Sequence, residues 1–301
     1  MSASGMLSFI STKIMEANNR PLPPYYDKLK MMPGGYVPLD HISYGQDDPH
    51  AHLLPVKKIY DVNIDANYPY VDNSLKFKIL NWLYYFQSKT LIVFLNKFRY
   101  GFKMKGRENV TRNMDKLKGG AMTVCNHVFR WDMCGVFSAV GWRQLRFPIF
   151  RGQMAGKDRT RMVEMGGVPI PEKLSDLRVF YKAFDYFHEH GFWMHFFAEE
   201  SRWQFYTPIR PFKKGAFIFA ERYNLPIIPM AYSYRERKGF LKLFGKEACV
   251  TLNVGEPIFA DPALKGNRSA TIDDLRKRTH AAMVKLAGIE ENPWTYNQTE
   301  R

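Results

Sequence analysis

His127 and Asp132 stand five residues apart in the stretch Val124-Cys125-Asn126-His127-Val128-Phe129-Arg130-Trp131-Asp132. A histidine beside a carboxylate is the pair that makes a hydroxyl nucleophilic. The imidazole takes the proton, while the carboxylate holds the tautomer and stabilises the imidazolium that forms. The spacing restricts how the two meet. On one regular helix, five residues at about 100° each leave two side chains roughly 140° apart. The pair therefore needs His127 in the turn after a strand and Asp132 in the first turn of the next helix. The apolar run Ala121 to Cys125 supplies the strand, and Trp131 to Val140 reads as the helix. His and Asp at this spacing also recur by chance, so chemistry requires a second group of residues.

Such a group follows the apolar strand Trp193 to Ala198, where Glu199, Ser201 and Arg202 stand at its C-terminal end. That edge of an α/β sheet is where ligands bind. Arginine offers phosphate a planar fork, and a glutamate can hold an acceptor's hydroxyl. The same two residue types at a strand end equally make a structural ion pair.

The elements that must position these residues alternate along the chain. Strands are expected at Phe98 to Met104 by period-2 alternation, then at Ala121 to Cys125, Arg146 to Phe150, Trp193 to Ala198, Leu225 to Ala231 and Cys249 to Val254. Helices are expected at Trp131 to Val140, Ser175 to His190, Pro211 to Tyr223 and Ile272 to Leu286. Gly106 to Gly120 reads as a basic loop, Gln153 to Met165 as basic and polar, and Gly166 to Pro171 as a turn or short strand. The alternation predicts an α/β fold with a mixed central sheet flanked by helices.

Two regions precede that domain, taken as residues 99–301. Residues 1–70 are rich in Pro, Tyr, Asp and His and weakly periodic, so they read as an extended arm. Asp47, Asp48, His50 and His52 suggest metal binding, but without a partner motif they read as a solvated loop. Residues 71–98 open with a cap at Asp72-Asn73-Ser74 and continue as an apolar, aromatic run punctuated by Lys76, Lys78, Lys89 and Lys97. This segment fits a helix or helix pair lying in a lipid interface, with a buried core helix as the competing reading. Met1 to Ile14 lacks a basic n-region and a small-residue cleavage site, so no signal peptide is expected.

In 301 residues, 44 Lys and Arg against 29 Asp and Glu leave a net charge of +15. Such an excess calls for an anionic partner. A nucleic-acid binder rests on charge alone, since no recognition-helix or aromatic RNA-binding motif is present. Three cysteines, Cys125, Cys134 and Cys249, show no paired spacing, which fits reduced thiols rather than a disulfide framework or zinc site.

Together the ordered blocks resemble the glycerolipid acyltransferases, the family that contains the 1-acylglycerol-3-phosphate acyltransferases. The blocks are Asn126-His127-x4-Asp132, then Phe197-Ala198-Glu199-Glu200-Ser201-Arg202, then Phe212-Lys213-Lys214-Gly215-Ala216, and finally Leu225-Pro226-Ile227-Ile228-Pro229. The resemblance spans roughly Phe98 to Val254. It implies that His127 is the general base and Asp132 its orienter. It also places Glu199 and Arg202, with Ser201 between them, at the acceptor's glycerol-phosphate. The Pro-bounded strand would help shape the acyl or acyl-carrier site.

Two departures stand out: Glu200 replaces a glycine, and Glu172 falls where the family has an arginine. Lys157, Arg159 and Arg161 are candidate substitutes for that basic contact. The implied reaction moves an acyl group from acyl-CoA or acyl carrier protein, as co-substrate, to a lysophospholipid hydroxyl in phospholipid biosynthesis or remodelling. It uses no metal or resident cofactor, with backbone N–H groups near a helix start as oxyanion donors. The expected setting is the cytoplasmic face of an anionic membrane, with the protein peripheral or interfacially anchored. The alternatives are an acceptor other than a phosphatidate precursor, and a lipid-binding protein in which Glu200 and Glu172 mark lost catalysis.

Overall fold

The computed structural model describes residues 48–52, 62–154, 158–294 and 296. Most of the arm expected at 1–70 lies outside the described residues, as does Lys157. The fold is mixed α/β, built on a seven-stranded sheet in the order β1-β7-β6-β2-β5-β3-β4. The strands are β1 (Lys103–Lys105), β2 (Met122–Cys125), β3 (Leu145–Ile149), β4 (Gly167–Pro169), β5 (Trp193–Phe196), β6 (Ile227–Arg235) and β7 (Cys249–Val254). Every neighbouring pair is parallel except β6 and β7.

The central strands are buried on both faces, which is why they read as apolar runs rather than alternating ones. Met122, Val124, Met194 and Ile227 face one core with α6 (Leu177–Glu189), α7 (Gly215–Arg222) and α8 (Arg268–Leu286). On α6 the stripe Phe180, Ala183, Phe184 and Phe187 provides the packing face, at helical spacing. Cys125, Ile228, Met230 and Tyr232 face the second core with α4 (Asp132–Ala139). There Gly135 is required, because a Cβ would come within 2.1 Å of the Tyr232 hydroxyl.

Across the outside of that second core lies a helix of unusual polarity. It comprises α1 (Leu75–Gln87), a π-helical turn (Ser88–Ile92) and α2 (Val93–Arg99). Ser74 caps it by accepting from Phe77 N–H at 3.2 Å. Its inward stripe is largely polar: Asn81, Tyr85, Ser88 and Asn96 are buried, alongside Val93. Asn81 Nδ2 donates to the Glu164 carbonyl, and Tyr85 Oη donates to the Arg143 carbonyl at 2.6 Å. The outward stripe is apolar, with Leu75, Ile79, Trp82, Leu83, Phe86, Leu91, Phe94 and Leu95 exposed.

Three expectations change. The Phe98-to-Met104 strand shrinks to Lys103–Lys105, because the helix runs to Arg99 and then turns through Gly101 at φ +50°. The Asn96 carbonyl accepts from both Tyr100 and Phe102 N–H and closes that turn, so the apparent alternation belongs to a helix end. The basic loop from Gly106 contains α3 (Arg107–Arg112), and the basic stretch after Gln153 contains α5 (Asp158–Glu164). The stretch read as a solvated loop is only partly so: Asp48 and His52 are exposed and Asp47 lies outside the described residues, whereas His50 is half-buried and lies with Pro49 and Ala51 against the Glu199–Arg210 region, as described below.

Among the described residues two histidines are buried inside the fold, His195 on β5 and His280 on α8. Burial holds His195 down to about 3 and His280 down to about 4, from an ordinary 6.5. Below pH 6.5 the unfolded chain binds protons that the folded chain refuses, so stability falls as pH drops toward those values. The slope is about 1.4 kcal/mol per pH unit for each histidine. Urea midpoints measured from pH 7 to 4 should fall, and His195→Asn should flatten that dependence. An unaltered slope in the variant would contradict the assignment.

Candidate active site

The site begins where β2 ends. Asn126 is fully buried and turns its amide across to β6, accepting from Tyr232 N–H at 2.8 Å and donating to the Tyr232 carbonyl at 3.4 Å. A side chain thus replaces the ladder bond, and the backbone is free to leave the sheet at His127. Five residues on, Asp132 opens α4. Its Oδ2 lies 2.6 Å from His127 Nδ1 and accepts from Val128 and Phe129 N–H, while Oδ1 accepts from Met133 N–H. The carboxylate is buried and held from several sides, so the imidazole has one orientation.

With Nδ1 oriented by Asp132, Nε2 is the ring nitrogen left without a protein hydrogen bond among the described residues. The ring stacks on Phe197, with centroids 4.1 Å apart. Behind Phe197 stands His195, whose Nδ1 meets Thr123 Oγ1 at 2.8 Å. Of the backbone N–H groups around the start of α4, those of Val128, Phe129 and Met133 serve Asp132.

The second group divides by burial. Glu199 faces inward: Oε1 accepts from Arg210 N–H at 2.8 Å, and Oε2 accepts from His127 N–H at 3.2 Å and Arg210 Nη2 at 3.1 Å. Ser201 is also buried, its hydroxyl accepting from Arg210 Nη1 at 2.8 Å. Both side chains are therefore spent on Arg210, which sits over the Trp203 ring at 4.4 Å. Arg202 differs. It is partly exposed, makes no ion pair among the described residues, and leaves Nε without a protein partner. It is the cation of this loop that remains for a ligand.

Arg210 went unnoticed in the sequence, as did the strap from the arm that completes its shell. The Pro49 carbonyl accepts from Arg210 Nη1 at 2.7 Å, and the Ala51 carbonyl accepts from Trp203 Nε1 at 2.8 Å. His50 Nδ1 lies 3.4 Å from the Glu199 carbonyl, and burial, followed by the charge of Lys213, lowers its pKa.

Of the substitute basic residues, Arg161 lies over the Trp131 ring at 5.5 Å, beside the His127–Asp132 turn, and Arg130 takes a like position. Arg159 lies near Tyr68 instead. The two unexpected acids are compensated: Glu172 accepts from Arg151 at 2.9 Å, and Glu200 lies 3.9 Å from Lys213 Nζ. Glu200 adopts φ +65°, a left-handed conformation that a glycine accepts without strain. Holding a glutamate there costs on the order of 1–2 kcal/mol.

Removing one partner of a buried ion pair leaves the other charge uncompensated. Arg210→Leu should therefore destabilise the fold by about 3–5 kcal/mol. Glu200→Gly should be neutral or stabilising. Chemical denaturation of both variants checks this, and an Arg210→Leu loss below about 1 kcal/mol would show that the pair does not hold the turn.

Comparison with known proteins gives a family-model match over part of the chain. No curated protein sequence matches the chain. Among solved structures, the 1-acyl-sn-glycerophosphate (LPA) acyltransferase PlsC from Thermotoga maritima superposes with a TM-score of 0.41 at 15% identity, over 69% of this chain and 96% of that one. The family model described as Acyltransferase matches residues 101–233. The matched span holds both the His127–Asp132 pair and the Glu199–Arg210 pair.

Proposed function

We propose that the protein transfers a fatty acyl group from a thioester donor, acyl-CoA or acyl carrier protein, to a hydroxyl of a lysophospholipid. The observation that carries this reading is the orientation of His127. Asp132 takes Nδ1, while Nε2 is open at the C-terminal edge of the sheet. The acceptor oxygen attacks the thioester carbonyl as His127 Nε2 removes its proton. The carbon–sulfur bond then breaks, and the imidazolium returns the proton to the departing thiolate. Asp132 stabilises the imidazolium in between.

No enzyme nucleophile takes part. Cys125 and Cys134 are buried, and burial pushes the Cys125 thiol well up and the Cys134 thiol up to about 12, so neither supplies a thiolate. Arg202 is assigned to the acceptor's phosphate, with Arg161 and Arg130 beside the catalytic turn as further anion contacts. With Glu172 and Glu200 compensated by Arg151 and Lys213, an anionic headgroup is compatible with this edge.

The substrates reside in membranes, and the inverted helix Leu75–Arg99 supplies a surface to meet them. Rings carry the apolar stripe beyond the helix: Phe86 stacks on Trp142 at 6.4 Å, and Phe98 meets Phe244 at 5.3 Å in the helical turn Gly239–Phe244. Lys97 and Lys242 are exposed and border it, each worth about 1 kcal/mol near an anionic surface. Among the described residues no helix is long and apolar enough to cross a membrane. The reading is a peripheral, interfacially anchored enzyme on the cytoplasmic face.

Labelled acyl transfer to lysophospholipid acceptors tests the mechanism. His127→Ala should abolish transfer without loss of fold or vesicle binding, and near-normal turnover would refute the base. Arg202→Ala should raise the apparent KM for the acceptor more than for the donor; the reverse would reassign the phosphate site. In flotation with anionic vesicles, Trp82→Ala with Phe94→Ala should weaken binding at least tenfold, and no change would remove the helix from the interface.

A further inference from the structure

A cavity of about 50 Å3 lies at the opposite edge of the sheet from His127. It is walled by the segment from Tyr68 to Asn73, Arg146 near the start of β3, the short strand β4, and the end of α6. Arg146, the second residue of β3, is in register with Met194 of β5, which is in register with Met122 at the start of β2. His127 follows the far end of β2, so the two places face opposite ends of the parallel strands.

Arg146 is only 5% exposed. Its guanidinium lies 4.0 Å from the Phe192 ring and 5.2 Å from the Phe187 ring, and Nη1 donates to the Leu145 carbonyl at 3.2 Å. Among the described residues no carboxylate is paired with it. Burial lowers its pKa to about 10, and the nearby titratable groups are the hydroxyls of Tyr85 and Tyr186. A cation taken out of water without an anion is one of the least favourable arrangements in a protein interior. A second polar group on the same lining has no protein partner: the Tyr70 hydroxyl is buried, with the Asp176 and Asp65 carboxylates in its surroundings. Tyr186, by contrast, hydrogen-bonds Asn73 at 3.1 Å.

The space beside the guanidinium is kept open by glycine. Gly166 adopts φ +104°, and a Cβ there would come within 3.0 Å of Arg146 Nη1 and 2.3 Å of the Leu145 carbonyl. A water needs roughly 10–15 Å3 by the same measure, so the cavity holds a few waters or one compact oxyanion group. Asp72 also lines the cavity, but it is exposed, and its carboxylate accepts from Ser74 N–H at 2.8 Å.

We propose that this cavity is a phosphate-binding site, separate from acyl transfer, in which the Arg146 fork and the Tyr70 hydroxyl donate to the anion's oxygens. The guanidinium geometry suits two phosphate oxygens at once. The phosphate has two possible sources. The Tyr68-to-Asn73 wall leads directly into α1, whose Leu75 and Ile79 are exposed, so a lipid headgroup has a path to the site. Dissolved phosphate is the other. In either case the anion bridges the entry of α1 to the start of β3 and fixes where the apolar helix leaves the sheet.

The test uses the full chain carrying Arg202→Ala, so that phosphate at the catalytic edge does not contribute. Inorganic phosphate is titrated by calorimetry against this parent, Arg146→Met and Tyr70→Phe. The same three proteins are sedimented with phosphatidylglycerol vesicles and with phosphatidylcholine vesicles. With dissolved phosphate as the source, the parent binds it, Arg146→Met abolishes binding, and Tyr70→Phe weakens it about three- to tenfold, with vesicle binding unchanged. With a headgroup as the source, both substitutions weaken binding to phosphatidylglycerol vesicles while inorganic phosphate gives no heat. If Arg146→Met does not fold, Tyr70→Phe decides alone, because it removes one oxygen and keeps the ring. Equal behaviour of parent and Tyr70→Phe in both arms overturns the proposal, as does a folded Arg146→Met that binds like the parent.

Discussion

The carboxylate of Glu199 has no water to fall back on. It lies in the interior, and each of its contacts is a protein donor: the N–H of His127, and the N–H and guanidinium of Arg210. A buried charge of this kind persists only where every donor is in place, so the turn bearing His127 and the loop from Glu199 to Arg210 must form together. Trp203 and Phe205 N–H add bonds to the carbonyls of His127 and Val128, which binds the two stretches along their length. Such a pair adds little net stability over a well-packed apolar equivalent. What it contributes here is position. His127 is held from its backbone by Glu199 and from its ring by Asp132, and both carboxylates are buried beneath it.

The same constraint explains how residues 48–52 are attached. Arg210 carries more donors than Glu199 and Ser201 satisfy, and the Pro49 carbonyl takes one of them. Trp203, fully buried against Arg210, directs its indole N–H to Ala51. A short stretch of an otherwise unpatterned arm is thus drawn over the loop by two backbone carbonyls. Carbonyls do not depend on side-chain identity, so this contact leaves no mark in the sequence.

Legibility in the sequence followed the range of the forces involved. Cys249–Val254 matches its expectation residue for residue, and the strands around Val124, Met194 and Ile228 are displaced by only a residue or two at most of their ends, because burial on both faces selects uninterrupted apolar runs. The nearness of His127 and Asp132 followed from a strand–turn–helix reading over a dozen residues. Arg210 could not be read that way, since its partner is eleven residues distant and the turn between them is tertiary. The one available signal is an arginine set between Pro208 and Pro211 with no acid beside it. The helix Leu75–Arg99 supported two opposite readings for a physical reason. Its composition is apolar, yet the inward stripe is carried mainly by Asn81, Tyr85, Ser88 and Asn96, and only the fold shows which side faces out.

That inversion bears on how the exposed apolar stripe and the His127–Asp132 turn are joined. Asn81 reaches from α1 to the carbonyl of Glu164, at the end of α5, and Arg161 one turn earlier in α5 lies over Trp131. Trp131 immediately precedes Asp132. The path from the exposed apolar stripe to the His127–Asp132 pair is therefore one side-chain hydrogen bond, one helical turn and one ring contact. Arg161 and Arg130 both lie over the Trp131 ring on this path. The polar inner stripe of α1 then has a second consequence: it fixes α1 to α5 by a directional bond rather than by interchangeable apolar packing. Sliding of the helix would break the Asn81 bond in a buried place, so the distance from the exposed apolar stripe to His127 is set by the same kind of satisfied interior polar contact that holds Glu199.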